Sequence, residues 1–346
     1  MKTTKGWLCF WLALLLAPAV SWATGMQALW AQGHLGFLGF AKETTWGTAV
    51  AATDYAELMS EGISTTRDRF PTRNIFAGFH EPDDYAGLFR SAGPTVMDGN
   101  AVSIGHLLKA VFNNASASVV QSGSLFTMNF TTTKSEFADG VPRQPYTLEV
   151  NRDVTSSFQY SGAIANRLTL ALAPNQGLRT TVEWIAKSRA LIAKTTPTFP
   201  ASPSAPFTFD TASISLGGSA TARIEALTLT VDNRLEGIAA LNNSTAIARV
   251  RSAGPQMIKV SGTLDFIDVT EEEDFINQTE RALQLNLTRA NSFALLIDIP
   301  RFVYTAFPVG MSGPGRQTVA FEGTARYLAS SLSAIGVQLT TTKSNY

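Results

Sequence analysis

Hydrophobic and polar positions alternate with a period of two over much of this chain. "RLTLALAP" (residues 167–174) sets Leu168, Leu170 and Leu172 against small or polar partners, and "EALTLTVDN" (225–233) and "ALQLNLTRA" (282–290) repeat the arrangement. "TTVEWIAKS" (180–188) is strand-like through Val182 and Trp184. Alternation over about five to eight residues, broken by Gly, Pro or Asn, predicts half-buried antiparallel strands. Helical spacing is rare. "GHLLKAVFNN" (105–114) puts Leu107, Leu108, Val111 and Phe112 on one face. "TEEEDFINQTERAL" (270–283) predicts a second helix, with Thr270 as its cap and acids in the first turn. The pattern therefore reads as mainly β: two tandem antiparallel β-sandwich or barrel-like domains, each with a short α-helix.

The division into two rests on a Pro-rich stretch and on repeats. "AKTTPTFPASPSAPF" (193–207) carries Pro197, Pro200, Pro203 and Pro206. Such density resists helix and interior strand, and predicts a semi-rigid linker. "RSAGP" occurs twice, with Arg90, Gly93 and Pro94 in the first copy and Arg251, Gly254 and Pro255 in the second. A strand-like segment follows each copy ("GNAVSI", 99–104; "SGTLDFI", 261–267), and then one of the two helices. Farther along, "RTTVEW" (Arg179, Val182, Trp184) is answered by "RQTVAF" (Arg316, Val319, Phe321). "LEVNRD" from Leu148 and "LNLTRA" from Leu285 precede these segments at the same offset of 137 residues. The ordered matches predict an internal duplication. The offset is 161 at the pentapeptides, which places an insertion in the first copy, within residues 131–145. The expected organisation is a leader (1–25), a first β domain (26–192), the linker (193–206), a second β domain (207–330) and a tail (331–346).

The leader has a basic start (Lys2, Lys5), an apolar run from Trp7 to Val20 and small residues near Ser21 and Ala23. This is the form of a secretory signal, and it is short for a membrane span. The other reading is a mis-assigned start, with Met26 as the true first residue. Either way Cys9, the only cysteine, leaves with it, so no internal disulfide can form. Without the first 25 residues, 25 Lys+Arg face 27 Asp+Glu, a formal charge of −2.

With 45% hydrophobic and 16% charged residues, the chain is too apolar for disorder, and its charge balance offers nucleic acid no strong attraction. Chemistry is equally sparse. His34, His80 and His106 are scattered and read as isolated surface or half-buried side chains, away from any metal-ligand spacing. No nucleophile elbow, phosphate loop or dinucleotide turn occurs. "GGSA" (217–220) reads as a turn, "EPDD" (81–84) as a solvated loop, and the acids at 271–274 as a helix start. No catalytic, cofactor-binding or metal site is expected, and no enzyme.

"GFAKETTWGTAV" (39–50) changes the picture. It resembles the opening motif of tail tube proteins from long-tailed bacteriophages, a Gly-x-x-x-Glu-x-x-aromatic-Gly-Thr segment. "GHLLKAVF" and "FQYSGAIANRLTLAL" (158–172) are similar to the family's first half. "PFTFDTASISLGG" (206–218), "LTVDNRLEG" (229–237) and "VSGTLDFIDVTEEEDF" (260–275) are similar to its second. The resemblance spans about residues 39–327. It implies packed antiparallel sheets and self-assembly into rings whose inner strands close a β-barrel. It also implies rings stacked into a tube that DNA passes without specific binding, with tape-measure and tail-terminator proteins as partners. Two complete copies per chain imply three chains per ring; one lining copy with an outer appendage implies six. The family assembles in the host cytoplasm, which favours Met26 as the start. An inner wall that releases DNA is expected to be neutral or weakly acidic. The competing readings are an exported outer-membrane β-barrel and a secreted β-sandwich binding protein.

Overall fold

The computed structural model describes residues 31–72, 75, 79–80, 83–112, 120–132, 143–200, 206–289, 292–311, 313–331 and 333–346. The leader, Met26, Asn113 and Asn114, Glu81 and Pro82, most of the expected insertion and residues 201–205 of the linker lie outside these.

Strands dominate, as the alternation predicts. The chain begins with β1 (Phe37–Lys42), β2 (Asp54–Ala56), β3 (Ser60–Glu61), β4 (Ser64–Pro71) and β5 (Asp84–Asp98), followed by helix α1 (Ile104–Phe112). It continues with β6 (Val120–Ser122), β7 (Leu125–Thr131), β8 (Tyr146–Asn151), β9 (Ser156–Leu172), β10 (Arg179–Ala186) and β11 (Ser188–Ala193). After the Pro-rich stretch come β12 (Ala212–Leu216), β13 (Ser219–Thr221), β14 (Ile224–Asp232), β15 (Leu235–Ile238), β16 (Arg249–Ser252) and β17 (Met257–Asp265). Helix α2 (Thr270–Ile276) leads into β18 (Arg281–Arg289), β19 (Phe293–Ala306), β20 (Thr318–Ala325) and β21 (Gly336–Thr341).

The second helix is shorter than its sequence suggests. It stops at Ile276, and Arg281–Leu283 already belong to β18, where the period-two pattern wins. Thr270 is its first residue rather than its cap: the Thr270 amide donates to the Asp268 carboxylate at 2.9 Å.

Every pairing between these strands is antiparallel, and three sheets result. The long sheet runs β4–β5–β10–β9–β14–β17–β20–β19. A second sheet, β2–β1–β8–β9–β11, packs on its first half. A third, β13–β12–β18–β19–β21–β7–β6, packs on its second half. Strands β9 and β19 each belong to two sheets. Residues 156–163 of β9 pair with β8 and β11, and residues 164–172 with β10 and β14. Residues 293–299 of β19 pair with β18, and 302–306 with β20. Joined through them, and with β3 paired to β5 at Ser60↔Val96, the sheets form one network of 19 strands, with β15 and β16 as a separate pair.

The core fills the space between layers. Tyr146 of the second sheet meets Trp184 of the long sheet edge-on, with centroids 6.3 Å apart. Leu227, Leu229 and Val260 face Leu283, Leu285, Ile297 and Ile299 of the third. Helix α1 is buried along nearly its whole length. Each fully buried Leu, Ile or Phe contributes about 1.5–3 kcal/mol, so these faces hold the layers together.

Strand pairing crosses the Pro-rich stretch, because β14 continues the ladder of β9 from Leu227↔Leu172 to Asp232↔Arg167. Residues 195–200 have no regular secondary structure, and the Thr195 hydroxyl meets both Glu149 oxygens at 2.9 and 3.0 Å. In the C-terminal stretch, β21 pairs with β7, and Tyr346 is buried.

Candidate functional site

The opening motif forms a clamp on β9. Glu43 is buried, and its Oε1 accepts from the Thr147 hydroxyl at 2.6 Å and from the Gly162 amide at 2.8 Å. Its Oε2 accepts from the Gly47 amide at 2.7 Å. Trp46 Nε1 donates to the Gly162 carbonyl at 3.0 Å, and Lys187 Nζ lies 4.5 Å over the Trp46 ring. Gly162 has φ 65°, where a side chain is strained, and a Cβ there would meet Trp46 and Lys187. This is the place where β9 passes from one sheet to the next. The motif residues are therefore positioning residues for the fold.

The repeat residues occupy defined places on the long sheet. Arg90, Gly93 and Pro94 lie within β5, where Pro94 faces Glu183 and Gly93 faces Trp184. Arg179 opens β10 opposite Asp98. Val182 and Trp184 are buried, and Trp184 Nε1 donates to the Thr95 hydroxyl at 2.8 Å. Val319 and Phe321 of β20 are likewise buried, opposite Leu264 and Gly262. Arg316 precedes β20 and lies 3.8 Å from Asp265. The second "RSAGP" is elsewhere: Arg251 pairs with Glu236 in β16, and Gly254 and Pro255 form the turn before β17. Thus Trp184–Gly93 and Phe321–Gly262 are corresponding cross-strand positions, whereas the two pentapeptides are not.

The two ends of the long sheet differ. At one end, residues 84–90 of β5 extend past β10 and pair only with β4. Near the tip of this hairpin Phe70 and Tyr85 stack with centroids 5.7 Å apart, and both are exposed, as are Ile75 and Phe79. The β15–β16 hairpin rises at the same end, with Leu241 exposed and the Thr245 carbonyl accepting from the Phe89 amide at 2.7 Å. At the opposite end is an open cleft of ≈ 710 Å³, lined by Leu172, Pro174, Phe209, Ile214, Ile224 and Leu227 among others. The sequence signalled the turn beside it: Gly217 and Gly218, both at positive φ, close the β12–β13 hairpin.

The face of the long sheet away from the core carries a polar groove of ≈ 350 Å³ that includes Arg167, Glu183, Asp232, Lys259 and Glu322. Arg167 is flanked by Asp232 at 2.8 Å and Glu183 at 3.2 Å. Its donated hydrogen bond to Asp232, followed by the Glu183 charge, raises its pKa above the ordinary arginine value. The charge of Arg167 is thus answered within the groove.

His106 corrects an expectation. It is buried, stacked on Phe40 at 5.2 Å, with Nε2 3.2 Å from Lys343 Nζ and 3.6 Å from an Asp54 oxygen. Burial, then the Lys343 charge, pushes its pKa down to about 3. Its place in the α1 stripe, between Gly105 and Leu107, was the available signal. The acids of α2 are also more than a helix start: Arg223 holds Glu271 at 2.8 and 2.9 Å, and Arg281 holds Asp274 at 2.8 Å through two contacts. Among the described residues no group of His, Cys, Asp and Glu is arranged to hold a metal ion, and no helix is long and apolar enough to cross a membrane.

Among the described residues the sheets are all antiparallel, the outer sides of β4 and of the end of β19 carry no partner strand, and the hairpin tips expose apolar side chains. Comparison with known families agrees: the description of phage tail tube proteins matches residues 33–325. No curated protein matches the chain. The match covers most of the sequence, and the chain belongs to the phage tail tube protein family, a structural component of the virion tail.

Proposed function

We propose that this chain closes into rings through the two edges of its long sheet that are open among the described residues, and that the rings stack into the tube through which DNA leaves. One observation carries the reading. The long sheet is two sets of four strands in matching order, β4–β5–β10–β9 and β14–β17–β20–β19, joined where β9 pairs with β14. Repeating that joint between molecules brings the C-terminal part of β19 against β4 of the next copy. Residues 307–311 follow β19 with Val309 and Met311 exposed, and they stand where β9 continues as a paired strand. Pairing with a neighbour removes two edges that would otherwise invite uncontrolled association. Closing by rotation makes a ring.

On this reading each chain supplies two sets, and three chains supply six. The spacing between corresponding positions is 169 residues from Gly93 to Gly262, and 137 from Trp184 to Phe321. The apolar hairpin tips at one end and the apolar cleft at the other suit head-to-tail stacking. The groove around Arg167 faces the channel, and its internal pairing keeps the wall from holding DNA by counterion release. Tape-measure and tail-terminator proteins are the expected partners in the lumen and at the tube end. Assembly in the cytoplasm puts the translation start at Met26, so peptides from residues 2–24 should be missing from purified particles.

Native mass spectrometry of isolated rings tests the central claim. Three chains per ring are expected. Six would overturn the reading and assign the channel to one set of strands alone.

A further inference from the structure

The two helices open alike but are covered differently. The Asn100 carbonyl accepts from the Ile104 amide at 3.1 Å to open α1, and the Val269 carbonyl accepts from the Glu273 amide at 2.9 Å to open α2. Asn100 and Val269 are 169 residues apart, the spacing of Gly93 and Gly262 on the strands that lead to the helices. The match in position is not a match in burial. Asn100 is 8% exposed and Val269 57%; Leu107 is fully buried, and the matching Ile276 is 61% exposed. Ile267, two residues before Val269, is exposed as well.

The start of the second half covers the opening of α1. Pro206 forms a β-bridge with Asn100, and the Phe207 amide donates to the Gly99 carbonyl at 2.9 Å. The Phe207 carbonyl accepts from the Leu178 amide at 2.7 Å, so the segment is held on both sides. It leads into β12 as residues 32–36 lead into β1. Register fixes the correspondence. Phe40 of β1 faces Leu148, and Ile214 of β12 faces Leu285, the two leucines that the sequence repeat already matches. Counting back from these positions, Gln32 and Gly33 stand where Pro206 and Phe207 stand.

We propose that residues 32–35 of a second copy of this chain dock on residues 267–269, with Gln32 opposite Val269 and Leu35 against Ile267. The inference rests on ring closure by repetition of the β9–β14 joint, and it adds a second contact to that closure. The joint itself commits the occupant. Where β14 lies beside β9, Pro206 and Phe207 reach the opening of α1 in the preceding half. Where β4 of the next copy lies beside β19, the same arrangement carries Gln32 and Gly33 to the opening of α2. The surfaces suit each other: Leu35, Ile267 and Val269 are all exposed apolar side chains, and burying them together is favourable. Short main-chain pairing of this kind adds affinity, and its pockets add specificity. Tyr346, the other cover of α1, has no counterpart in this contact. A Cβ at Gly105 would run into the Tyr346 ring, whereas the carboxylate of the matching Asp274 is held by Arg281.

Oxidation of rings carrying Cys9→Ser, Gln32→Cys and Val269→Cys tests the contact on a denaturing gel. Linked dimers and trimers are expected, and a mixture of the two single-cysteine chains should stop at the dimer. Rings that give no link, or a link only within one molecule, would overturn this contact and leave closure through β4 and β19 standing. Failure of the parental chain to form any ring would overturn both. Val269→Asp supplies a second measurement, because it changes an exposed residue. The urea midpoint of the monomer should stay unchanged, while the protein concentration at half-assembly rises at least tenfold. Assembly as efficient as that of the parental chain would overturn the proposal.

Discussion

Strands β9 and β19 solve the same problem differently. Each begins in an outer sheet and ends in the long one. β9 makes the passage at Gly162, held by Glu43 and Trp46 from the loop after β1. β19 makes it around Pro300, between Ile299, which pairs with Leu283, and Phe302, which pairs with Ala325. Beyond the passage β9 runs on to Leu172 between two partners, whereas β19 ends at Ala306. The shared strand order shows what the layers require. The differences go with cover: the long-sheet part of β9 has β10 and β14 on its two sides, whereas that of β19 has β20 on one.

That contrast is sharpest for proline, which removes a ladder donor. Leu170→Pro, in the doubly paired part of β9, should abolish soluble folding, with a cost of about 3 kcal/mol or more. Val309→Pro should leave monomer stability within about 0.5 kcal/mol, because residue 309 lies outside any ladder, while preventing ring closure. Urea denaturation and electron microscopy of the two variants make the comparison.

Removing the clamp tests whether β9 depends on it. Glu43→Ala strands the Gly47 and Gly162 amides and the Thr147 hydroxyl, and should destabilise the chain by about 3 kcal/mol in urea denaturation. A loss within about 0.5 kcal/mol would mean that the passage holds without it.

Acid separates the two halves next, because α1 carries a buried His106 and α2 carries carboxylates paired with arginines. The folded pKa of His106 is lowered, so its contribution is intact above the unfolded value near 6.5. It is lost as pH falls toward about 3, since the unfolded chain binds a proton that the folded one refuses. Burial opposes the ionised Asp54 carboxylate, but the hydrogen bond from Lys343 and the surrounding charges hold its pKa below normal. Asp54 therefore adds a further loss in stronger acid. Stability should decline by up to about 1.4 kcal/mol per pH unit within the His106 window, and His106→Phe should flatten that part of the profile.

The smallest effect belongs to the polar groove. Glu183→Gln with Asp232→Asn leaves Arg167 unanswered. Duplex DNA binding should then gain a logarithmic salt slope steeper by about 1, read by fluorescence anisotropy across a salt series.

Much of this architecture was legible because alternation is local. The strands around Leu168, Val182, Leu229 and Leu285 follow directly from period two. Arg281–Leu283 were misread into a helix because an amphipathic helix and the start of a strand share apolar spacing over three residues. The role of Glu43 was invisible, since its partners Thr147 and Gly162 lie 104 and 119 residues away. The repeated "RSAGP" is a real pattern whose first copy lies within β5 and whose second runs from the end of β16 into the bend before β17, a difference that only register reveals. Burial of His106 depends on Phe40, Tyr146 and Tyr346, which meet it from distant parts of the chain.

The double membership of β9 and β19 has a mechanical meaning. A force that tries to peel an outer sheet from the long one does not act on side-chain contacts alone. It is carried along two continuous backbones, whose covalent bonds cross between layers. Delamination therefore requires stripping ladders on both sides of β9 or β19 together, a shear of many hydrogen bonds at once rather than one-by-one unzipping. The chain thereby resists separation of its layers as a stitched laminate does, with the stitches made of its own main chain.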